Sequence, residues 1–281
     1  MPFNSDTTIA FIGAGVMGEA MIKGLLNQEL VKSSQIIATT PEVDRLVQLR
    51  ELYDLQATAD NIHAANEADI LVLSTKPQIL LGKVLHELRG RADNSSLVLS
   101  IAAGVPIEAI AGELLNARVV RAMPNTPGQI GAGITVWTAA PDVLQPQLEQ
   151  AKALISALGD ELYVEDESYL NMATALSGTG PAYVFMFMEA LIDAGVHLGF
   201  SRRDAERLVL QTMRGSVTYA TESGLHPAQL RNQVTSPGGT SAEALYQMEK
   251  GGIRTVIADS VWAAYRRSKA LGEANGNGSK S

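Results

Sequence analysis

The sequence contains no cysteine, which excludes disulfides, thiolate metal sites and a cysteine nucleophile. It has no basic segment followed by an apolar run at its start, MPFNSDTTIAFIGAG, so no secretory signal is read there. Aromatic residues are scarce, at 5%; with Ala and Gly abundant, close packing of helices and strands is favoured over an aromatic-rich binding surface. Positive charge is in deficit: 22 Lys and Arg against 30 Asp and Glu leave a net charge of −8. A general nucleic-acid binder is therefore disfavoured, because phosphate contacts need clustered Lys and Arg. A small anionic ligand stays open, since exposed charges are screened beyond about 8 Å at physiological salt. No internal repeat, low-complexity linker or metal-ligand spacing is found, so no metal is expected. The longest apolar stretch, Pro181 to Phe200, is broken by Glu189, Asp193 and His197 at four-residue spacing. It reads as a buried amphipathic helix rather than a membrane span. A soluble cytoplasmic protein is expected, with neither membrane nor nucleic acid as partner.

The 281 residues suffice for two ordinary domains. The first half alternates β-like runs (Thr8–Ile12, Gln35–Thr39, Asp69–Ser74, Ser96–Ile101, Arg118–Ala122) with helical stretches near Val16–Gln28, Pro41–Tyr53, Pro77–Arg89 and Pro106–Asn116. Three of those helices are expected to open on proline. The alternation predicts a parallel sheet covered on both faces. Gly133–Thr138 and Glu161–Val164 are expected as edge strands, with a helix near Asp142–Leu158 between them. From about residue 166 onward only helical periods remain. The expected fold is thus an α/β Rossmann-type dinucleotide-binding domain, residues 1–165, followed by an all-α domain, residues 166–281, with residues 272–281 a frayed tail. The crevice between the two is the expected place for a ligand.

Ile9–Ile12 runs into Gly13-Ala14-Gly15-Val16-Met17-Gly18 and then a helix. In a G-x-G-x-x-G turn the first glycine makes the tight turn, the second admits a pyrophosphate and the third lets helix pack on strand. The helix N-terminus adds amides and partial positive charge. The second strand ends in Thr39-Thr40, where NAD sites usually place an acid. Hydroxyls there, with Arg45 about one turn on, favour NADPH, with NADH also accepted. The same threonines can instead cap a helix beginning at Pro41, and Glu42 weighs against a phosphate. Three more turns follow strands: Ser74-Thr75-Lys76-Pro77-Gln78, Ser100-Ile-Ala102-Ala-Gly104, and Met123-Pro-Asn125-Thr126-Pro127. Small residues around Ala102 leave room for a flat ring, and Asn125 or Lys76 can hydrogen-bond an amide or ribose, although each turn has an ordinary structural reading too. In the helical half, Ser236-Pro-Gly238-Gly239-Thr240-Ser241 bares backbone before a helix, which suits a carboxylate. Thr240 with Glu243 also matches a capping box.

These motifs, with Leu176-Ser-Gly-Thr-Gly-Pro-Ala-Tyr183 and His226-Pro227, resemble the pyrroline-5-carboxylate reductase family from Ile9 to about Leu271. The resemblance implies that the helical domain dimerises, within a homodimer or a larger ring. It implies reduction of Δ1-pyrroline-5-carboxylate to L-proline by NAD(P)H, the last step of proline biosynthesis. Gly13 to Met17, Thr39, Thr40, Asn61, Lys76, Asn125 and Thr126 are then expected at the cofactor, joined by Gly18, Thr75, Pro77 and Ala102 from the same turns. Ser236, Gly238, Gly239, Thr240 and Ser241 are expected at the substrate. The family usually has Ser at Thr179 and Thr at Ser241; both departures keep the hydroxyl.

The four histidines, His63, His86, His197 and His226, lie outside the main glycine-rich motifs. No strong acid is therefore evident for the imine nitrogen, and Ser241 is the expected group to hydrogen-bond it or orient a water. His226, beside Pro227, reads as structural. A β-hydroxyacid dehydrogenase shares the two-domain plan but depends on a lysine early in its helical domain; here no lysine lies between Lys152 and Lys250. A non-catalytic NADP-binding relative would be expected to lose the Ser236 motif, which is intact.

Overall fold

The computed structural model describes residues 2–277. The strands are β1 (Ile9–Ile12), β2 (Ile36–Thr39), β3 (Gln56–Thr58), β4 (Ile70–Leu73), β5 (Leu97–Ser100), β6 (Val119–Met123), β7 (Gly133–Ala139) and β8 (Gly159–Tyr163). The helices are α1 (Val16–Asn27), α2 (Val43–Tyr53), α3 (Asn61–Asn66), α4 (Pro77–Ile79), α5 (Leu85–Glu87), α6 (Ile107–Leu114), α7 (Gln145–Ser156), α8 (Tyr169–Ala173), α9 (Gly180–His197), α10 (Arg202–Ser223), α11 (Pro227–Gln233), α12 (Thr240–Lys250) and α13 (Ile253–Asn277). A π turn, Leu80–Val84, joins α4 to α5, and another, Thr174–Gly178, follows α8.

The strands form one sheet in the order β3-β2-β1-β4-β5-β6-β7-β8. The order reverses between β1 and β4, which is where open α/β sheets bind ligands. Runs such as IAFI and ILVL are apolar throughout because both faces of the sheet are covered. Ile9 and Phe11 enter one core with Met21, Ile22 and Leu154. Ala10 and Ile12 enter the other with Leu80, Leu85 and Ile110. Each fully buried Ile or Leu contributes roughly 1.5–3 kcal/mol of transfer free energy.

The seven expected strands form, and so do helices at every expected place, but several details differ. β3 and α3 are additional; three strand residues are too few to show a period. β7 is not the expected edge strand but lies between β6 and β8, and it runs antiparallel to β6. Only a short 3-10 segment, Thr126–Ile130, connects β6 to β7, and a parallel return needs a crossover of a dozen or more residues. Of the three prolines, only Pro77 opens its helix. Pro106 is the extended N-cap of α6, and Pro41 precedes Glu42, the N-cap of α2. The expected tail is helical as far as Asn277; residues 278–281 lie outside the described residues.

By contacts the chain divides into two units, residues 2–179 with 264–277, and Gly180–Ala263. The division falls later than the change of pattern near residue 166. The reason is that α8 packs Leu170 and Ala173 onto Val136 of β7. In the second unit, none of the 18 residues of α9 is buried. The helix exists as expected, but its expected burial does not. Phe185 and Met186 are 61% and 74% exposed. The stretch Tyr169–His197 is long and apolar enough to cross a membrane by length and composition alone.

Gly24 of α1 lies where a Cβ would collide with the carbonyl oxygen of Ala157. Gly24→Ala is expected to cost about 1–3 kcal/mol by overpacking, read as a lower midpoint in urea unfolding with the slope unchanged.

Candidate active site

The ends of β1, β2 and β4 lie level, with Ile12 opposite both Thr39 and Leu73. Thr39 is 1% exposed. Its hydroxyl accepts from the Gly13 amide at 3.1 Å and donates to Asn61 Oδ1 at 2.7 Å. Its carbonyl accepts from the Ala14 amide at 2.7 Å. Asn61 Nδ2 donates to Glu87 at 3.2 Å. One buried threonine thus ties the glycine turn to β2, α3 and α5. It is committed beneath the turn, where its hydroxyl shapes the loop. Thr40 is nearly buried, and its hydroxyl accepts from the Glu42 amide at 3.4 Å. Neither threonine caps α2, which begins two residues after Pro41.

Gly13 has φ +87°, and a Cβ there would collide with the Thr75 side chain. Ser74 donates to the Gly13 carbonyl at 2.9 Å and stands 2.8 Å from where a Cβ on Gly18 would be. The first and third glycines are therefore forced by packing. Gly15 differs: nothing lies within 4 Å of its Cβ position. It is the N-cap of α1, and no side chain caps that helix. The turn therefore presents backbone, open space and free helix amides together, which is what a pyrophosphate requires. Thr75 Oγ1 is buried without a partner, and a bound group with polar atoms would satisfy it. Ala14 is buried beneath the turn, Met17 is half-buried, and Val16 is 61% exposed beside Gly15. These residues fit a dinucleotide.

Lys76 and Thr126 are exposed, and Pro77 is half-buried at the first position of α4. Ala102 is buried, and its methyl belongs to the core. Asn125 is engaged within the fold: it donates to the Ser177 carbonyl at 3.2 Å and accepts from the Ile134 amide at 3.0 Å. One amide proton and one lone pair of Oδ1 are left for a ligand. Glu19, in the first turn of α1, belongs to no sequence motif. Glu19 pairs with Arg45 and accepts from the Tyr53 hydroxyl at 2.9 Å. Burial, then the hydrogen bond to Glu19, push the Tyr53 phenol up to about 12. A charged partner for Arg45 was the available signal, but nothing in the spacing joins α1 to α2.

The second unit carries the other motif. Gly238 has φ +69°, and Gly239 is the N-cap of the 11-residue helix α12 with no side-chain cap. The capping box open to Thr240 and Glu243 is absent, because the helix already begins at Thr240. Gly239 donates to the Ser236 carbonyl at 3.0 Å. The result is an uncapped helix N-terminus flanked by the hydroxyls of Ser236, exposed, and Ser241, half-buried. His226 caps α11 through Nδ1, which accepts from the Ala228 amide at 3.2 Å, in keeping with a structural role. Among the described residues no group of His, Asp and Glu could hold a metal. A cavity of about 510 Å³ bordered by Leu115, Arg118 and Asp142 opens at the opposite strand ends and contains none of these residues.

The family model for pyrroline-5-carboxylate reductase dimerisation matches residues 167–271. The reductase of Synechocystis is 42% identical over 94% of this chain and 98% of its own length. This chain belongs to the pyrroline-5-carboxylate reductase family. The Escherichia coli reductase is 37% identical over 95% of this chain and 98% of its own. A Plasmodium falciparum pyrroline carboxylate reductase crystallised with NADP bound has a TM-score of 0.86 at 32% identity, over 96% of this chain and 100% of that one. A second family model, for NADP oxidoreductases dependent on coenzyme F420, matches residues 8–104, which hold the glycine turn.

Gly15→Ala separates binding from folding. Its backbone, φ −76°, suits alanine, so stability should stay within about 0.5 kcal/mol. The dissociation constant for NADP⁺ should rise at least tenfold (about 1.4 kcal/mol), measured by isothermal titration.

Proposed function

We propose that this chain reduces Δ1-pyrroline-5-carboxylate to L-proline, with NADPH preferred over NADH. The observation that carries the reading is the pair of uncapped helix N-termini, α1 behind Gly15 and α12 behind Gly239. One suits a pyrophosphate and the other a carboxylate. Bound NAD(P)H supplies a hydride to C5 of the imine. The residues of the chain orient and polarise the reactants. Val16, Met17 and Gly18, at the head of α1 behind Gly15, present amides to the pyrophosphate, and Lys76, Thr75 and Thr126 offer donors at neighbouring strand ends. The helix amides after Gly239 hold the substrate carboxylate, and the Ser241 hydroxyl hydrogen-bonds the imine nitrogen or a water beside it. Catalysis rests on placing donor and acceptor carbons in contact, which can supply several kcal/mol of the barrier.

The preference for NADPH rests on the missing acid at the end of β2 and on Arg45. Thr40, rather than Thr39, is the hydroxyl left to meet a 2′-phosphate. Arg45 is paired with Glu19, which offsets its charge, so the preference is expected to be moderate.

A second copy is the proposed partner of the unburied face of α9. The family model over residues 167–271 describes dimerisation, and Phe185, Met186 and Leu191 are unburied in the single chain. Patches of this kind mark association sites.

Following NADPH oxidation by absorbance with pyrroline-5-carboxylate, and NADH in parallel, tests the reaction; proline should form one-for-one. No turnover by a folded chain that binds NADPH would refute it. Ser241→Ala should lower kcat/KM by ~10²-fold, and unchanged kinetics would remove Ser241 from the chemistry. Met186→Glu should shift the sedimentation profile from dimer or larger toward monomer.

A further inference from the structure

Helix α6 begins behind a residue that cannot cap it. Its N-cap is Pro106, with no side-chain hydrogen bond. The first helical amide, Ile107 N–H, is satisfied from 60 positions away, by Glu167 Oε1 at 2.9 Å. The same oxygen accepts from Arg121 Nη1 at 2.7 Å. Arg121 lies on β6 with its side chain 5% exposed, whereas Glu167 is 32% exposed. A cation that deeply buried is costly without a partner, so Arg121 fixes the carboxylate and the carboxylate fixes the helix start.

What hangs on that helix start is the turn from Ser100 to Pro106. β5 ends at Ser100, Gly104 takes φ +70°, and α6 follows. In a doubly wound sheet one nucleotide lies over the end of β2. The other falls across the switch point, over β4, β5 and β6. Glu167 therefore joins two strand ends on the second nucleotide's side, the β5 turn directly and β6 through Arg121, two residues before Met123. The segment that carries Glu167 is itself anchored. Asn171 of α8 accepts from the Ser268 hydroxyl at 3.0 Å, and Ser268 is 5% exposed.

We infer that Glu167 is a positioning residue for the cofactor: held by Arg121, it caps α6 and so sets the turn from Ser100 to Pro106 against the bound dinucleotide. The inference rests on the reading of that turn as a cofactor contact. Glu167 does not touch the reacting atoms.

Three variants of the full chain test it, with NADP⁺ as the titrant and thermal unfolding alongside. Glu167→Gln keeps an oxygen for the Ile107 amide but strips the charge facing Arg121. Glu167→Ala removes both. Glu167→Ala with Arg121→Met also removes the stranded cation. Glu167→Ala should raise the dissociation constant about tenfold, the scale of one lost hydrogen bond to a charged group, and lower the melting temperature. The double variant should recover the melting temperature but not the affinity, because α6 still lacks its acceptor. Glu167→Gln should melt earlier yet bind NADP⁺ close to normally. In turnover, KM for NADPH should rise while KM for the imine holds. Unchanged affinity in Glu167→Ala would overturn the inference. So would a double variant whose affinity recovers together with its melting temperature, which would reduce Glu167 to a counter-ion. If Glu167→Ala does not fold, the other two variants still decide. The affinity is read without turnover, so absence of pyrroline-5-carboxylate reduction by the unsubstituted chain would strike the proposed activity and leave this result standing.

Discussion

A single buried hydroxyl holds the glycine turn in shape. Thr39 Oγ1 takes the Gly13 amide on one side and gives its own proton to Asn61 on the other. A buried donor or acceptor left unpaired costs about 1–3 kcal/mol, so each of the three groups constrains the other two. With Gly13 pinned, the chain leaves β1 in a conformation that favours glycine, and Thr75 closes the space a side chain would need. Only then does Gly15 face open space at the head of α1. The open, uncapped helix start behind Gly15 is thus a consequence of packing beneath the turn as much as of the glycines themselves.

Much of this was legible in the sequence, for identifiable reasons. Strands buried on both faces read as apolar runs, and a turn that needs two close approaches needs glycine at two fixed places. What the sequence could not show is where a polar side chain spends its hydrogen bonds. Thr39, Thr40 and Asn125 all fell at strand ends where a ligand contact is plausible. The structure uses Thr39 wholly, and Asn125 largely, to join pieces of the fold, because backbone amides there have no other partner. The same limit hid Glu167: a carboxylate capping a helix 60 positions away leaves no local pattern. Pro106 in front of α6 was the visible sign, since a proline N-cap implies that the cap comes from elsewhere. The helix starting at Thr240 shows the converse. Its sequence fits a capping box, yet the two preceding glycines let the chain enter the helix one residue earlier and leave the amides bare.

The two units solve the burial problem differently. The sheet unit closes two cores of its own, with Leu and Ile side chains entirely removed from water on both faces. The helical unit leaves α9 without a buried residue, although the helix is among the most apolar segments of the chain. Helical periodicity shows that a face is apolar but not what covers it. The periodicity was read as burial, and the structure leaves that face of α9 unburied. Glu189, Asp193 and His197 share a spacing that keeps a polar stripe on the same helix.

That division bears on how a reaction with no evident strong acid can run. A carboxylate bound at bare helix amides demands little rearrangement of the protein, because the amides are already aligned. The same holds for a pyrophosphate at α1. In the proposed reaction each reactant carries one anionic group, and each group has a preformed, uncapped helix N-terminus suited to it, α1 for the pyrophosphate and α12 for the carboxylate. Positional error then becomes the main tax on rate, and a misplacement near 1 Å can cost on the order of 10²-fold. Groups that stiffen the turns, such as Thr39 under Gly13 and Glu167 at the head of α6, act on the rate through geometry. In the proposed reaction the imine nitrogen must gain a proton as C5 gains the hydride, and the proposed source of that proton is a water or the Ser241 hydroxyl.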